Sequence, residues 1–219
     1  TINDKIDADD ASSNDRTLTL NSGTGSSILV TGNIGSSQAL AGLTITQSNG
    51  AQFSGNIDIS DSSSGTITIT DTEDSRTINF NGNLTTDNFT NAAAGYNLFF
   101  GCGSFGPCTF TNAVTFQNTG NLTLGTITGD TFTFGGGVTE NTTGTVTVDA
   151  AITSSNDPIV FGAITLGDSV TIDTNATSNA GDITIGTVTT SGSHTLTLST
   201  GNNIAGADIT ASGAISGVT

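Results

Sequence analysis

Apolar and polar residues alternate in short runs along the whole chain, and clusters of Gly, Asn, Ser or Asp separate the runs. Nine of the Thr-x-Thr steps with an apolar centre carry the pattern most plainly. They are Thr17-Leu18-Thr19, Thr44-Ile45-Thr46, the overlapping pair in Thr66-Ile67-Thr68-Ile69-Thr70, Thr126-Ile127-Thr128, Thr131-Phe132-Thr133, Thr145-Val146-Thr147, Thr187-Val188-Thr189 and Thr195-Leu196-Thr197. A variant stands at Thr171-Ile172-Asp173-Thr174. A period of two marks a strand with one buried face, and β-branched Thr favours the extended backbone on the other. Strands are predicted at 18–20, 28–31, 43–46, 57–59, 66–70, 77–80, 114–116, 122–124, 131–134, 146–148, 159–161, 164–166, 170–172, 183–185 and 196–198, with further ones around Val188 and Ile209. There is no 3.6-residue period, and good helix formers cluster only at 92–94.

Two stretches depart from the pattern. Residues 1–16 are polar, with Asp4, Asp7, Asp9, Asp10 and Asp15, and read as an acidic lead-in or linker in which Ile2 and Ile6 can begin a strand. Residues 84–112 hold Tyr96, Phe99, Phe100, Phe105 and both cysteines, and read as an irregular insertion. Elsewhere the phrases repeat loosely: Arg16-Thr-Leu-Thr-Leu20 returns as His194-Thr-Leu-Thr-Leu198, and Gly162-Ala-Ile-Thr165 as Gly181-Asp-Ile-Thr184. Degenerate repetition of short strands points to stacked rungs. The predicted fold is all-β, a parallel β-helix (β-solenoid) over residues 17–219. At roughly 20 to 24 residues per coil it has about nine to eleven rungs. Asn at the corners can form side-chain ladders along the stack. A β-sandwich would need longer strands and a buried Trp or Tyr; Trp is absent and Tyr occurs once.

Composition supports a thin core. Hydrophobic residues are 33% and aromatics 5%, yet charged residues are only 10%, which is not the signature of a disordered chain. The net charge of −16 comes from 19 acids against Lys5, Arg16 and Arg76. Nucleic-acid binding is therefore not expected, because it requires basic side chains that displace counterions. No run of apolar residues is long enough to cross a membrane as a helix. The acidic surface is first a solubility device. Calcium is the sharper alternative, with Asp7, Asp9 and Asp10 in one corner and Asp71, Glu73 and Asp74 in another. Neither has the glycine and terminal Glu of an EF-hand loop.

Cys102 and Cys108 bracket five residues in a Gly- and Pro-containing turn, a spacing that permits a local disulfide and suits an oxidising compartment. His194 is the only histidine, so a zinc site is not expected, and it reads as an exposed turn residue before a strand. No catalytic cofactor is implied. After Arg76 there is no Lys or Arg to act as a base on an acidic sugar, and no carboxylate pair stands out from turn residues. The chain is not expected to be an enzyme.

The phrases Thr-Leu-Thr-Leu-Asn-Ser-Gly-Thr-Gly, Ile-Leu-Val-Thr-Gly-Asn-Ile-Gly and Leu-Ala-Gly-Leu-Thr-Ile-Thr within residues 17–60 belong to a recognisable texture. So does Ile-Val-Phe-Gly-Ala-Ile-Thr-Leu-Gly-Asp-Ser-Val-Thr-Ile-Asp-Thr from Ile159. This text resembles the β-strand-repeat regions of very large bacterial surface proteins, including filamentous-haemagglutinin-like adhesins. The resemblance implies a right-handed parallel β-helix, export to the extracellular space or bacterial cell surface, and a role in adhesion, matrix or filament formation. The chain begins and stops in repeat-like text, so a segment of a longer protein is expected.

The functional expectation is an extracellular structural protein, a stiff segment of an adhesin, sheath or self-assembling filament. Its partners would be further copies of itself, end to end or laterally, and a host or cell-surface glycan. Tyr96, Phe99, Phe100 and Phe105 are the candidates for a lateral contact. A carbohydrate-binding or carbohydrate-processing β-helix is the alternative. An ice-binding solenoid ranks third, because the Thr-x-Thr steps share no single sequence period from which a flat face would follow.

Overall fold

The computed structural model describes residues 1–9, 16–60, 64–102, 106–201 and 206–218. Twenty-four strands and no helix occur among them. They coil into three faces that run the length of the stack. The first face is β2 (Ile28–Val30), β4 (Ala51–Phe53), β7 (Thr77–Phe80), β10 (Asn97–Phe100), β13 (Leu122–Leu124), β16 (Val146–Val148), β19 (Ile164–Leu166) and β22 (Val188–Thr190). The second is β5 (Ile57–Ile59), β8 (Leu84–Thr86), β11 (Pro107–Phe110), β14 (Thr131–Phe134), β17 (Ala151–Ser154), β20 (Val170–Asp173) and β23 (Leu196–Ser199). The third comes in two ladders. One is β1 (Thr17–Asn21), β3 (Gly42–Gln47), β6 (Thr66–Ile69) and β9 (Asn88–Asn91). The other is β12 (Val114–Phe116), β15 (Val138–Glu140), β18 (Ile159–Phe161), β21 (Ile183–Ile185) and β24 (Ile209–Ala211).

Three strands per turn make eight turns, all paired in parallel. The count falls below the expected nine to eleven chiefly because both ends contribute isolated bridges and not three-strand turns, at Ile2 and Ile6 and at Ile215 and Val218; a few turns are also long, with Ala51 paired to Ile78 and Ile57 to Leu84. At the spacing of neighbouring strands, eight turns are about 38 Å long.

Alternation does the folding. Most strands show a buried–intermediate–buried pattern, so each contributes two inward side chains. Register then stacks these into columns. On the first face Val30, Phe53, Phe80, Phe100, Leu124, Val148 and Leu166 follow one another along the axis. Phe53 and Phe80 stack at 5.2 Å between ring centroids, and Phe80 and Phe100 at 5.1 Å. Phe100 also meets Phe89, Phe110 and Phe116 from the other faces at 5.6–5.9 Å. A thin prism is thereby filled from three sides by a few large rings.

Corners are set by Gly-Asn pairs. The Asn56 N–H donates to Asn33 Oδ1 at 2.9 Å, and the Asn83 N–H to Asn56 Oδ1 at 3.0 Å. A second ladder runs from Asn97 through Asn121 to Thr145. The glycines before Asn56, Asn83 and Asn121 are there for close approach: a Cβ on Gly82 would lie 2.3 Å from the carbonyl oxygen of Gly55.

Two expectations are corrected. Residues 84–112 are not an irregular insertion: β8 to β11 pair in register with the turns on either side. Phe and Cys replace Ile and Val at inward positions while the period of two persists, and only the composition changes. The ladder of the third face breaks between β9 and β12. There the Asn91 amide, oriented so that both its ends find partners, donates to the Thr115 carbonyl at 2.9 Å and accepts from the N–H groups of Gln117 and Asn118. The lead-in is likewise part of the stack at its start, since Ile2 and Ile6 bridge in parallel to Val30 and Ile34.

Candidate functional site

Outward positions are as regular as inward ones. On the third face the central outward residues are Thr19, Thr44, Thr68 and Thr90, paired in sequence. The second ladder continues with Thr115, Thr139, Val160, Thr184 and Thr210. The second face carries Thr85, Thr109, Thr133 and Thr153, and the first Thr123, Thr147, Thr165 and Thr189. Neighbouring hydroxyls are bonded along the axis at 3.1–3.3 Å: Thr68 with Thr90, Thr133 with Thr153, Thr165 with Thr189. The uneven spacing in sequence therefore does not prevent register, because the corner loops absorb the differences. What forms is a single rank per face. A second rank beside the Thr44 column is interrupted, with Gly42 standing between Thr17 and Thr66.

The acidic candidates do not converge. Asp7 accepts from the Ser37 N–H at 2.9 Å and pairs with Lys5 at 3.0 Å. The Ser37 N–H and the Lys5 ammonium hold its carboxyl down to about 2. Asp9 is bound to the Arg16 guanidinium at 2.8 and 2.9 Å, which also lowers its pKa. Asp10 lies outside the described residues. Asp71 accepts from its own turn, at the Thr72 N–H. Asp74 rests against Gly95 of the next turn, and Glu73 is exposed. Among the described residues no three His, Cys, Asp or Glu side chains are placed to hold a metal ion.

His194 is half-buried rather than fully exposed, with Nδ1 3.9 Å from Asp168 Oδ1. Asp168 is held below the usual carboxylate range by Thr128 and by the Ser169 N–H. In the preceding turn Asp149 accepts from the Gly167 N–H at 2.7 Å, and burial raises its pKa.

Cys102 and Cys108 are joined in a disulfide with a Cα–Cα distance of 5.3 Å, and both are fully buried. The aromatic candidates separate. Tyr96 and Phe100 are core residues with no exposed surface, so neither can present a lateral contact. Burial lifts the Tyr96 hydroxyl to about 12, and it donates to the Ala92 carbonyl. Phe99 alternates with them and points outward, half-buried. Phe105 lies outside the described residues.

The sequence reading missed a hollow of about 370 Å³ on the first face across β2, β4 and β7. Gly50, at φ +92°, is part of its lining. Arg76, Asn49, Gln52 and Asn79 line it. Its one legible signal was Arg76, the last cation in the chain.

Comparison with protein-family models, with curated proteins and with solved structures gave no match.

Proposed function

We propose that the chain is a structural element, a stiff β-solenoid segment of an extracellular or cell-surface adhesin, sheath or filament. The carrying observation is the eight-strand parallel ladder of the first face, extended by a bridge to Ile2 at one end and to Ile215 at the other. A continuous ladder with a continuous core makes each turn depend on its neighbours, which suits a spacer. The buried disulfide supports an oxidising location.

Self-association fits the same reading. The apolar side chains of the last turns are uncovered, with Ile209 and Ile215 each 46% exposed, and a β-stack edge templates further strands. Further turns of a longer chain, or a second copy, would cover them. Sedimentation velocity tests the second-copy form: mass should rise with concentration, and a monomer at all concentrations removes end-to-end assembly. The ice-binding reading stays behind this one, since one rank of Thr hydroxyls supplies a row of contacts and not a two-dimensional net.

A further inference from the structure

The chain contains two prolines, and one of them, Pro158, follows an aspartate. An Asp-Pro bond carries its own nucleophile, a carboxyl one methylene away from the scissile residue's backbone. Its nitrogen belongs to a tertiary amide and leaves as a basic secondary amine. Here the bond lies in the corner between β17 and β18, with Asp157 half-buried and Pro158 exposed.

The corner holds the scissile carbonyl and leaves the nucleophile free. The buried Ser154 hydroxyl donates to the Asp157 main-chain carbonyl oxygen at 2.6 Å. The residues on either side are pinned to neighbouring turns. The Asn156 N–H donates to the Thr174 carbonyl at 2.8 Å, and its side-chain oxygen accepts from the Thr177 and Ser178 N–H groups at 2.6 and 2.7 Å. On the other side the Pro158 carbonyl accepts from the Val138 N–H at 3.0 Å. Asp71, Asp168 and Asp173 spend their carboxylates on N–H groups of their own turns. The Asp157 carboxylate takes part in no hydrogen bond or ion pair among the described residues.

We propose that this corner is an acid-triggered self-cleavage site at the Asp157–Pro158 bond. An oxygen of the protonated Asp157 side chain attacks the Asp157 main-chain carbonyl carbon. The new C–O bond closes a five-membered ring, the C–N bond to Pro158 breaks, and the carboxyl proton passes to the departing Pro158 nitrogen. Water then opens the cyclic anhydride and leaves two carboxyl groups on Asp157, so the sum is hydrolysis of one peptide bond. Negative charge grows on the carbonyl oxygen during the attack, where Ser154 already donates, and a fixed donor is worth most there. The products are residues 1–157 and 158–219. Pairing of β18 with β15 and of β19 with β16 keeps both in the rod after the nick. The chemistry is internal to one corner and stands whether or not the solenoid assembles.

Intact-mass spectrometry of the chain held at about pH 4 to 6, where carboxyl groups begin to protonate, tests this against the same chain unfolded in urea. Circular dichroism identifies the pH values at which the fold persists. At those values the folded chain should split after Asp157 about tenfold or more faster than the unfolded one. Ser154→Ala should fall to the unfolded rate, and Asp157→Glu, which enlarges the ring by one methylene, should suppress the reaction. If Ser154→Ala does not fold, the folded-to-unfolded ratio and Asp157→Glu decide. An equal or slower rate in the folded chain, an acceleration that survives Ser154→Ala, or unchanged splitting in Asp157→Glu overturns the proposal.

Discussion

The Asn56 N–H donates to the side-chain oxygen of Asn33 one turn earlier, and the Asn83 N–H donates in the same way to the side-chain oxygen of Asn56 one turn later. Each corner thus satisfies the next. Asn56→Ala should cost about 1 kcal/mol by removing one such bond. Gly82→Ala should cost more, about 2 kcal/mol or above, because the new Cβ meets the Gly55 backbone and not a movable side chain. Urea denaturation of the two variants gives the order directly; Gly82→Ala as stable as wild type would refute the close-approach account.

Phe80 is sandwiched between Phe53 and Phe100 and has no exposed surface. Phe80→Ala should destabilise by about 3–5 kcal/mol, whereas Phe99→Ala on the same face should cost far less because that ring faces outward. Thermal denaturation of both separates core from surface on neighbouring strands of one face. Equal losses would mean that the alternation across β10 is misassigned.

The disulfide closes a short loop, at a sequence separation of 6. Replacing both cysteines by Ala should lower stability by about 2 kcal/mol in the chain-entropy account. Since both sulfur-bearing residues are buried, free-thiol labelling of the native protein under mild reductant should be slow and should accelerate on unfolding.

Stability should respond to pH in opposite senses at Asp7 and Asp149. Asp7 has a depressed folded pKa, about 2 against 3.8, so its contribution is present above about 4 and lost as pH falls towards 2. Asp7→Asn should therefore destabilise at pH 7 and converge with wild type in strong acid. Asp149 has a raised folded pKa through burial. Its favourable contribution exists only below its unfolded pKa and is lost as pH rises through the folded value. Asp149→Asn should stabilise the protein at pH 7, with the gain fading in acid. Melting temperatures measured across pH 2–8 would show the two curves diverging from wild type in opposite directions.

Most strands were legible in the sequence because period-2 alternation is local. Thr66 to Ile69 and Leu122 to Leu124 need no distant partner to be recognised. β4, β15 and β17 were not read: Ala51 and Ala151 open two of them with weak apolar signals, and Val138 is the single aliphatic residue of the third. The segment 84–112 was misread because Tyr96, Phe100, Cys102 and Cys108 differ in kind from Ile and Val, although they fill the same inward sites. Register was the larger loss. Thr19, Thr44, Thr68 and Thr90 share no sequence period, yet stand in one column, because loop lengths at the corners vary while strand pairing does not. The hollow around Gly50 was illegible for the same reason: Asn49, Arg76 and Asn79 are brought together only by the stacking of turns.

The claim that the working unit is the stack, each turn an interchangeable layer of a rod, is tested by removing one layer. Leu122 pairs with Val146, so deleting residues 122–145 excises one turn and rejoins the first face in register. Small-angle scattering should show a folded particle shorter by about 4.8 Å, the spacing of one strand. A variant that collapses, or one that folds without becoming shorter, would contradict the account.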